Sequence, residues 1–167
     1  PGLVVTDVSS VKGDIVREAA RLRLDGFVGG HPMAGTEQQG FAASRADLFR
    51  GASWWIVPGR SARATRAVRG LVLAAGARPV VTDAATHDRA MAFLSHVPQV
   101  VAWALLDAAR RDPVARRHLR RAGPGFRGMT RLAGSPRPLW RDILDANRHE
   151  VRRALGALAR QLERRRP

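Results

Sequence analysis

Apolar residues change their spacing halfway along this 167-residue chain. In the first half they come in short β-type runs separated by helical patterns. Leu3-Val4-Val5-Thr6 reads as a buried strand, and Val11 to Leu24 places Ile15, Ala19 and Leu22 at helical spacing. Phe27-Val28 predicts a short strand, and Ser53-Trp54-Trp55-Ile56-Val57 a clearer one, stopped by Pro58-Gly59. Ser61 to Ala75 predicts a second helix, with Gly76 where a left-handed C-terminal cap belongs. Arg78 to Thr82, centred on Val80-Val81, predicts another strand. Strands alternating with helices imply parallel pairing in an α/β sheet.

From Thr86 onward no run reads as a strand. His87 to Arg111 is one long helical pattern that Pro98 should kink or restart. Asp112-Pro113 and Ser135-Pro136 each read as an N-cap followed by proline at the first helical position. Gly123-Pro124-Gly125 separates helices. In the last helix Val151, Leu155, Leu158 and Leu162 form an apolar stripe at steps of four, three and four. That stripe must be buried, against either a partner subunit or its own domain. The change of class near residue 85 divides the chain into 1–85 and 86–167, with no linker between them.

Composition narrows the partners. The net charge of +15 invites a nucleic-acid reading, since clustered cations release phosphate counterions. Yet Lys12 is the only lysine among the 29 basic residues, and the chain is also rich in Ala, Gly and Pro. That joint bias fits arginine-favouring codons better than a phosphate-binding face. Aromatic residues make up only 5%, so stacking platforms for single strands are not evident. Nucleic acid is therefore not the expected partner. No apolar run approaches the ~20 residues of a membrane span, so none is expected. The absence of cysteine excludes disulfides and thiolate metal sites, and suits a cytoplasmic protein. No metal site is expected.

Three stretches carry candidate chemistry. T-D-V-S-S-V-K-G, Thr6 to Gly13, follows the first strand, and G-G-H-P-M-A-G, Gly29 to Gly35, follows the next. Both loops would lie at the carboxyl edge of the sheet, where open α/β sheets bind ligands. G-F-R-G-M-T-R-L-A, Gly125 to Ala133, adds Arg127 and Arg131 from the helical half. In this frame His31 is either a working imidazole or a satisfied loop residue. Ser9 or Ser10 would also serve as a plain helix N-cap, Arg131 as one more surface arginine, and Trp140 as a core residue.

These stretches, in this order, resemble the prephenate and arogenate dehydrogenase family of tyrosine biosynthesis. The matching segments are T-D-V-S-S-V-K, G-G-H-P-M-A-G-T-E-x-x-G and A-D-L-F-x-G-A, then the helical H-D-R…S-H-V-P. G-F-R-x-x-T-R-L-A-x-S-x-P-x-L-W-R-D-I and Asn147 complete the set. The resemblance runs from about residue 3 to about residue 160. It implies the C-terminal part of a Rossmann-type dinucleotide-binding domain in 1–85, and an all-helical substrate-binding and dimerisation domain in 86–167. The family's G-x-G-x-x-G turn and its ribose-binding acidic residue would lie before Pro1, so the chain is expected to be a fragment that is inactive alone. The resemblance also implies NAD or NADP as cofactor, a homodimer, and oxidative decarboxylation of prephenate to 4-hydroxyphenylpyruvate. Arogenate as substrate, giving tyrosine directly, is the alternative, and a non-catalytic dimerisation or regulatory module is another.

The resemblance assigns roles to residues. His31 would accept the hydrogen bond of the ring hydroxyl as a neutral imidazole, which the usual pKa of ~6.5 allows. Ser10 would share that hydroxyl or touch the nicotinamide. Arg131 would clamp a carboxylate with two parallel hydrogen bonds. His96 and Gln99, three residues apart and so on one helix face, would look toward the substrate side chain with Trp140. Thr36 and Glu37 would help close the pocket, while Asp7, Val8, Ser9, Pro32 and Met33 would lie on the cofactor side. The chain departs from the family's common pattern at Ser9, where glycine is usual, and at Gln99, often histidine. It departs again at Gly128, often acidic. Gln99 keeps a donor and an acceptor but cannot become a cation, which bears on a pyruvyl against an alanyl side chain.

Overall fold

The computed structural model describes residues 2–35, 40 and 44–165. The chain divides into two compact units, Pro1–Met91 and Ala92–Pro167.

The first unit is built on a four-stranded sheet in the order β1 (Val5–Thr6), β2 (Phe27–Pro32), β3 (Ser53–Val57), β4 (Arg78–Val81). β1 and β2 are parallel, as are β3 and β4. β2 and β3 are antiparallel, with His31 opposite Trp55 and Gly30 opposite Ile56, so the expected all-parallel sheet is corrected. Parallel neighbours need a crossover element, and no helix occurs among the described residues between β2 and β3. The chain therefore returns antiparallel.

Two helices complete the main layer. α1 (Gly13–Arg21) is shorter than the apolar pattern predicted, because Arg23 turns into the left-handed region at φ 54°. α2 (Ala62–Ala74) begins at Ser61, whose hydroxyl accepts the Ala64 N–H at 3.2 Å. It ends before Gly76, left-handed at φ 75° as expected of that cap. Ala64, Val68 and Val72 recur every four residues on one face of α2 and pack with Val28, Trp54, Ile56 and Ala77. Burying each such valine or isoleucine stabilises by about 1.5–3 kcal/mol. α3 (Ala84–Met91) closes the unit.

β2 is longer than Phe27-Val28, and His31 lies within it rather than in the loop beyond. Gly29 and Gly30 hid the strand because they contribute nothing to an apolar pattern. Gly30 is required by close approach. A Cβ there would overlap the Asp7 carbonyl oxygen and come within 3.0 Å of Thr6 Oγ1 and 3.1 Å of Trp54 Nε1.

The second unit is helical, with no strand among its described residues. It opens with a π turn, Ala92–His96, followed by α4 (Val97–Arg111). Pro98 explains the disturbance: it has no N–H to give the preceding turn, and its ring crowds that turn's carbonyl. α5 (Pro113–His118) is capped as predicted, Asp112 accepting Val114 N–H at 3.0 Å and Ala115 N–H at 2.7 Å. α6 (Pro124–Thr130) leads into a 3₁₀ turn, Arg131–Gly134. α7 (Arg137–Ala146) starts later than expected, with Pro136 at the N-cap position and no side chain capping it, so Ser135 is not the cap.

In α8 (Arg148–Glu163), Val151 and Ala154 join Ala92 and Val97 in a small core that Val101, Leu144, Leu155 and Leu158 flank. The predicted stripe is thus mostly covered within its own unit, while Leu162 remains 61% exposed. By length and composition alone the helical run Ala84–Arg111 is long and apolar enough to cross a membrane, which the sequence reading did not anticipate. It contains the fully buried polar residues His87, His96 and Gln99, a pattern that internal core helices share.

Candidate active site

Two clusters of buried polar groups emerge, one in each unit. In the first, His31 projects from β2 and its Nδ1 lies 2.9 Å from Nε2 of His87 on α3. His87 Nδ1 in turn lies 2.8 Å from Asp88 Oδ1. The two carboxylate oxygens of Asp88 also receive the backbone N–H groups of Lys12 and Gly13, each at 2.8 Å. Asp88 therefore caps the N-terminus of α1 from another element, which supplants the expected Ser9 or Ser10 cap. The Trp55 ring stands edge-on to His87 at 5.7 Å, and His87 is wholly buried.

A second tie holds the backbone beside His31. Lys12 is fully buried and its ammonium pairs with Asp7. It also donates to the Gly30 carbonyl at 2.7 Å and to Ser9 Oγ at 3.0 Å. Asp7 Oδ1 accepts the Gly30 N–H at 2.8 Å. Both polar atoms of Gly30 are thus clamped by one ion pair, immediately before the histidine. The Asp7 side chain is engaged inside the protein, and Ser9 donates to its Oδ2.

The charges follow from these contacts. Burial pushes the Asp7 carboxyl up, but hydrogen bonds from Lys12, Ser9 and the Gly30 amide together outweigh it and hold it below the usual range. For Lys12 burial dominates and pulls the ammonium down, with Asp7 and Asp88 opposing. Burial likewise pushes Asp88 up, and hydrogen bonds from His87 and from the Lys12 and Gly13 amides reverse it, leaving the carboxyl lowered.

In the second unit His96, in the π turn, is fully buried and its Nδ1 accepts the Asn147 side-chain amide at 3.1 Å. A neutral His96 therefore carries its proton on Nε2. Trp140 packs edge-on to His96 at 6.2 Å and to Trp103 at 6.4 Å. Gln99, also fully buried, donates to the Leu132 carbonyl at 2.7 Å. Its Oε1 receives no hydrogen bond from the described residues. Arg131 is exposed in the 3₁₀ turn that Gln99 anchors.

The structure thus brings His96 to Trp140, and Gln99 to the turn that carries Arg131. Ser10 is half-buried in the loop before α1, and Val8 and Met33 are exposed apolar side chains just past β1 and β2, with Pro32 half-buried. Thr36 and Glu37 lie outside the described residues. Sequence reasoning gave no role to His87, Asp88 or Lys12. The adjacent His-Asp pair was the available signal, but nothing in the pattern showed that it faces β2. Among the described residues no group of three His, Asp or Glu side chains is arranged to hold a metal ion.

Residues 1–81 match the family model "Prephenate dehydrogenase, nucleotide-binding domain", and residues 83–166 match "Prephenate dehydrogenase, dimerization domain". The first unit is thus of the nucleotide-binding α/β class, and the second is a helical dimerisation domain. The chain belongs to the prephenate dehydrogenase family. It is 34% identical over 157 residues to prephenate dehydrogenase of Bacillus subtilis (strain 168), covering 89% of this chain and 42% of that protein. Among solved structures it matches Synechocystis arogenate dehydrogenase at 30% identity and a TM-score of 0.83, over 96% of this chain and 59% of the other. It matches prephenate dehydrogenase from A. aeolicus, in complex with hydroxyphenyl propionate and NAD+, at 31% and 0.87, over 96% and 57%. The chain spans 42% of the length of the B. subtilis relative.

Proposed function

We propose that this chain supplies the substrate-side residues of a nicotinamide-dependent prephenate dehydrogenase, which converts prephenate to 4-hydroxyphenylpyruvate and carbon dioxide. The observation that carries this reading is His31, held at the end of β2 by a clamped backbone on one side and a buried His87 on the other. A neutral imidazole fixed in this way is suited to take the proton of the ring hydroxyl.

The chemistry balances without net proton release. The hydroxyl O–H bond breaks and its proton moves to His31, so the carbinol oxygen becomes a carbonyl. The nicotinamide, NAD or NADP, supplies the hydride acceptor. The ring carboxylate then leaves as carbon dioxide, and its bonding electrons aromatise the ring. The resulting phenolate takes the proton back from His31. Ser10, at the mouth of the adjacent loop, would share the hydroxyl hydrogen bond, and Arg131 would hold a substrate carboxylate. His96, Gln99 and Trp140 would meet the substrate side chain. Exposed Val8 and Met33, with Pro32, would lie against the nicotinamide, while Asp7 and Ser9 would shape that loop from within.

A second reading has its own support. The buried Gln99 Oε1 receives no donor from the described residues, and it would accept one from an ammonium. That favours the alanyl side chain of arogenate, the substrate named for the Synechocystis relative. A homodimer through the helical unit accompanies either reading.

Reduction of NAD and of NADP, followed with prephenate and with arogenate, tests the proposal in this chain and in the longest product of its reading frame. His31→Ala should lower turnover by about 10²–10⁴-fold while the fold and substrate binding persist. Unchanged turnover would remove His31 from the chemistry. No turnover with either substrate in the longest product would favour a dimerisation or regulatory module.

A further inference from the structure

We infer that Asp88, acting through His87, is a positioning residue that fixes His31 as its Nδ1–H tautomer, with the ring's lone pair on Nε2. The inference deepens the proposed reaction and depends on it for its functional meaning. Its structural content is independent.

Asp88 is surrounded by donors: the Lys12 amide, the Gly13 amide and the His87 ring. Those bonds keep it ionised against the cost of burial. An ionised carboxylate only accepts, so His87 must place a hydrogen on Nδ1. Neutral His87 then has a lone pair at Nε2, and the nitrogen 2.9 Å away, His31 Nδ1, must be the donor. His31 is left with its lone pair on Nε2. One carboxylate thereby selects the protonation pattern of two imidazoles in series. His87 is wholly buried with Trp55 edge-on against it, so its bonds form out of contact with bulk water.

The same series gives the captured proton somewhere to go. When His31 Nε2 takes the hydroxyl proton, the Nδ1 proton can pass to His87 Nε2. The charge then sits on His87 beside Asp88, and the return transfer retraces the same bonds. No atom leaves the protein, and no further reactant is needed. Without its carboxylate His87 would lose the charged acceptor that favours its Nδ1–H form, and a larger share of His31 would present an N–H on Nε2 where an acceptor is wanted.

Nitrogen-15 NMR of the imidazoles in the 167-residue chain tests this directly, because protonated and lone-pair ring nitrogens have well-separated shifts. At neutral pH, His31 Nε2 should show the lone-pair shift and Nδ1 the protonated one. The opposite pattern overturns the inference. In Asp88→Asn the preference for that tautomer should fall by about tenfold or more, the worth of a hydrogen bond to a charged group. Asp88→Asn also weakens the cap on α1, so His87→Leu is the companion variant, leaving both Asp88 oxygens for Lys12 and Gly13 and removing every polar atom between Asp88 and His31. It too should lower the preference by about tenfold or more, and an unchanged His31 tautomer in a folded variant overturns the role of the relay. The two readings fail separately. Wild-type chain showing the stated tautomer, with no turnover in the longest product, would sink the proposed reaction alone.

Discussion

Lys12 is the one lysine among the 29 basic residues, and it has no exposure to solvent. Arginine would not substitute easily there. The site takes a compact ammonium that reaches Asp7, Ser9 and the Gly30 carbonyl together, whereas a guanidinium is planar and larger. Replacing it with methionine keeps the stem but leaves the Asp7 charge and the Gly30 carbonyl unpartnered by it. Lys12→Met should therefore destabilise by about 3–5 kcal/mol, the usual cost of breaking a buried pair from one side. Urea denaturation measures this, and a loss under about 1 kcal/mol would show the ion pair to be dispensable. Adding Asp7→Asn to Lys12→Met should recover part of the loss. At this scale the sequence was only partly legible. His31, Ser10 and Arg131 drew their expected roles from the resemblance, while Lys12 was noticed only as the lone lysine and Asp88 as a helix residue. Their importance comes from partners 18 and 76 positions away, which no local pattern reports.

Among the elements, α1 depends on a carboxylate it does not contain. Asp88 takes two of the amide hydrogens that a helix start leaves without partners. Its folded pKa lies below the ordinary carboxylate value, so the sign of the pH effect is fixed. The contribution is complete above the unfolded value of ~3.9 and is lost as pH falls through the folded one. Asp7 acts in the same direction. Thermal melts should show Tm constant near neutrality and falling below about pH 4. Asp88→Asn should flatten part of that fall, and an identical acid limb in wild type and variant would refute the assignment. Element existence was well forecast where the apolar period was strong, as in α2 and β3. It failed at β2, where two glycines erased the period, and at the start of α7, where Pro136 rather than Ser135 holds the cap position.

For the whole molecule, the second unit leaves Phe93, Leu94, Met129, Leu139 and Leu162 exposed, although Val151, Leu155 and Leu158 are covered internally. Large exposed apolar side chains in a unit that matches a dimerisation domain support self-association through it. Sedimentation equilibrium should show a dimer at micromolar concentration. Leu94→Asp, at a residue 66% exposed, should weaken it by tenfold or more without unfolding the chain. A monomeric wild type would count against the homodimer. What the sequence determined by itself was the succession of classes, α/β and then helical, because apolar periodicity records which face of each element must leave water. It also determined the family, because six ordered segments carry more information than any one motif. Tertiary structure alone decided that β2 and β3 run antiparallel, and that His31, His87 and Asp88 form one series. The physical reason is that strand direction depends on the path of the connection, and a hydrogen bond depends on position in space. Neither is encoded in the spacing of residues along the chain.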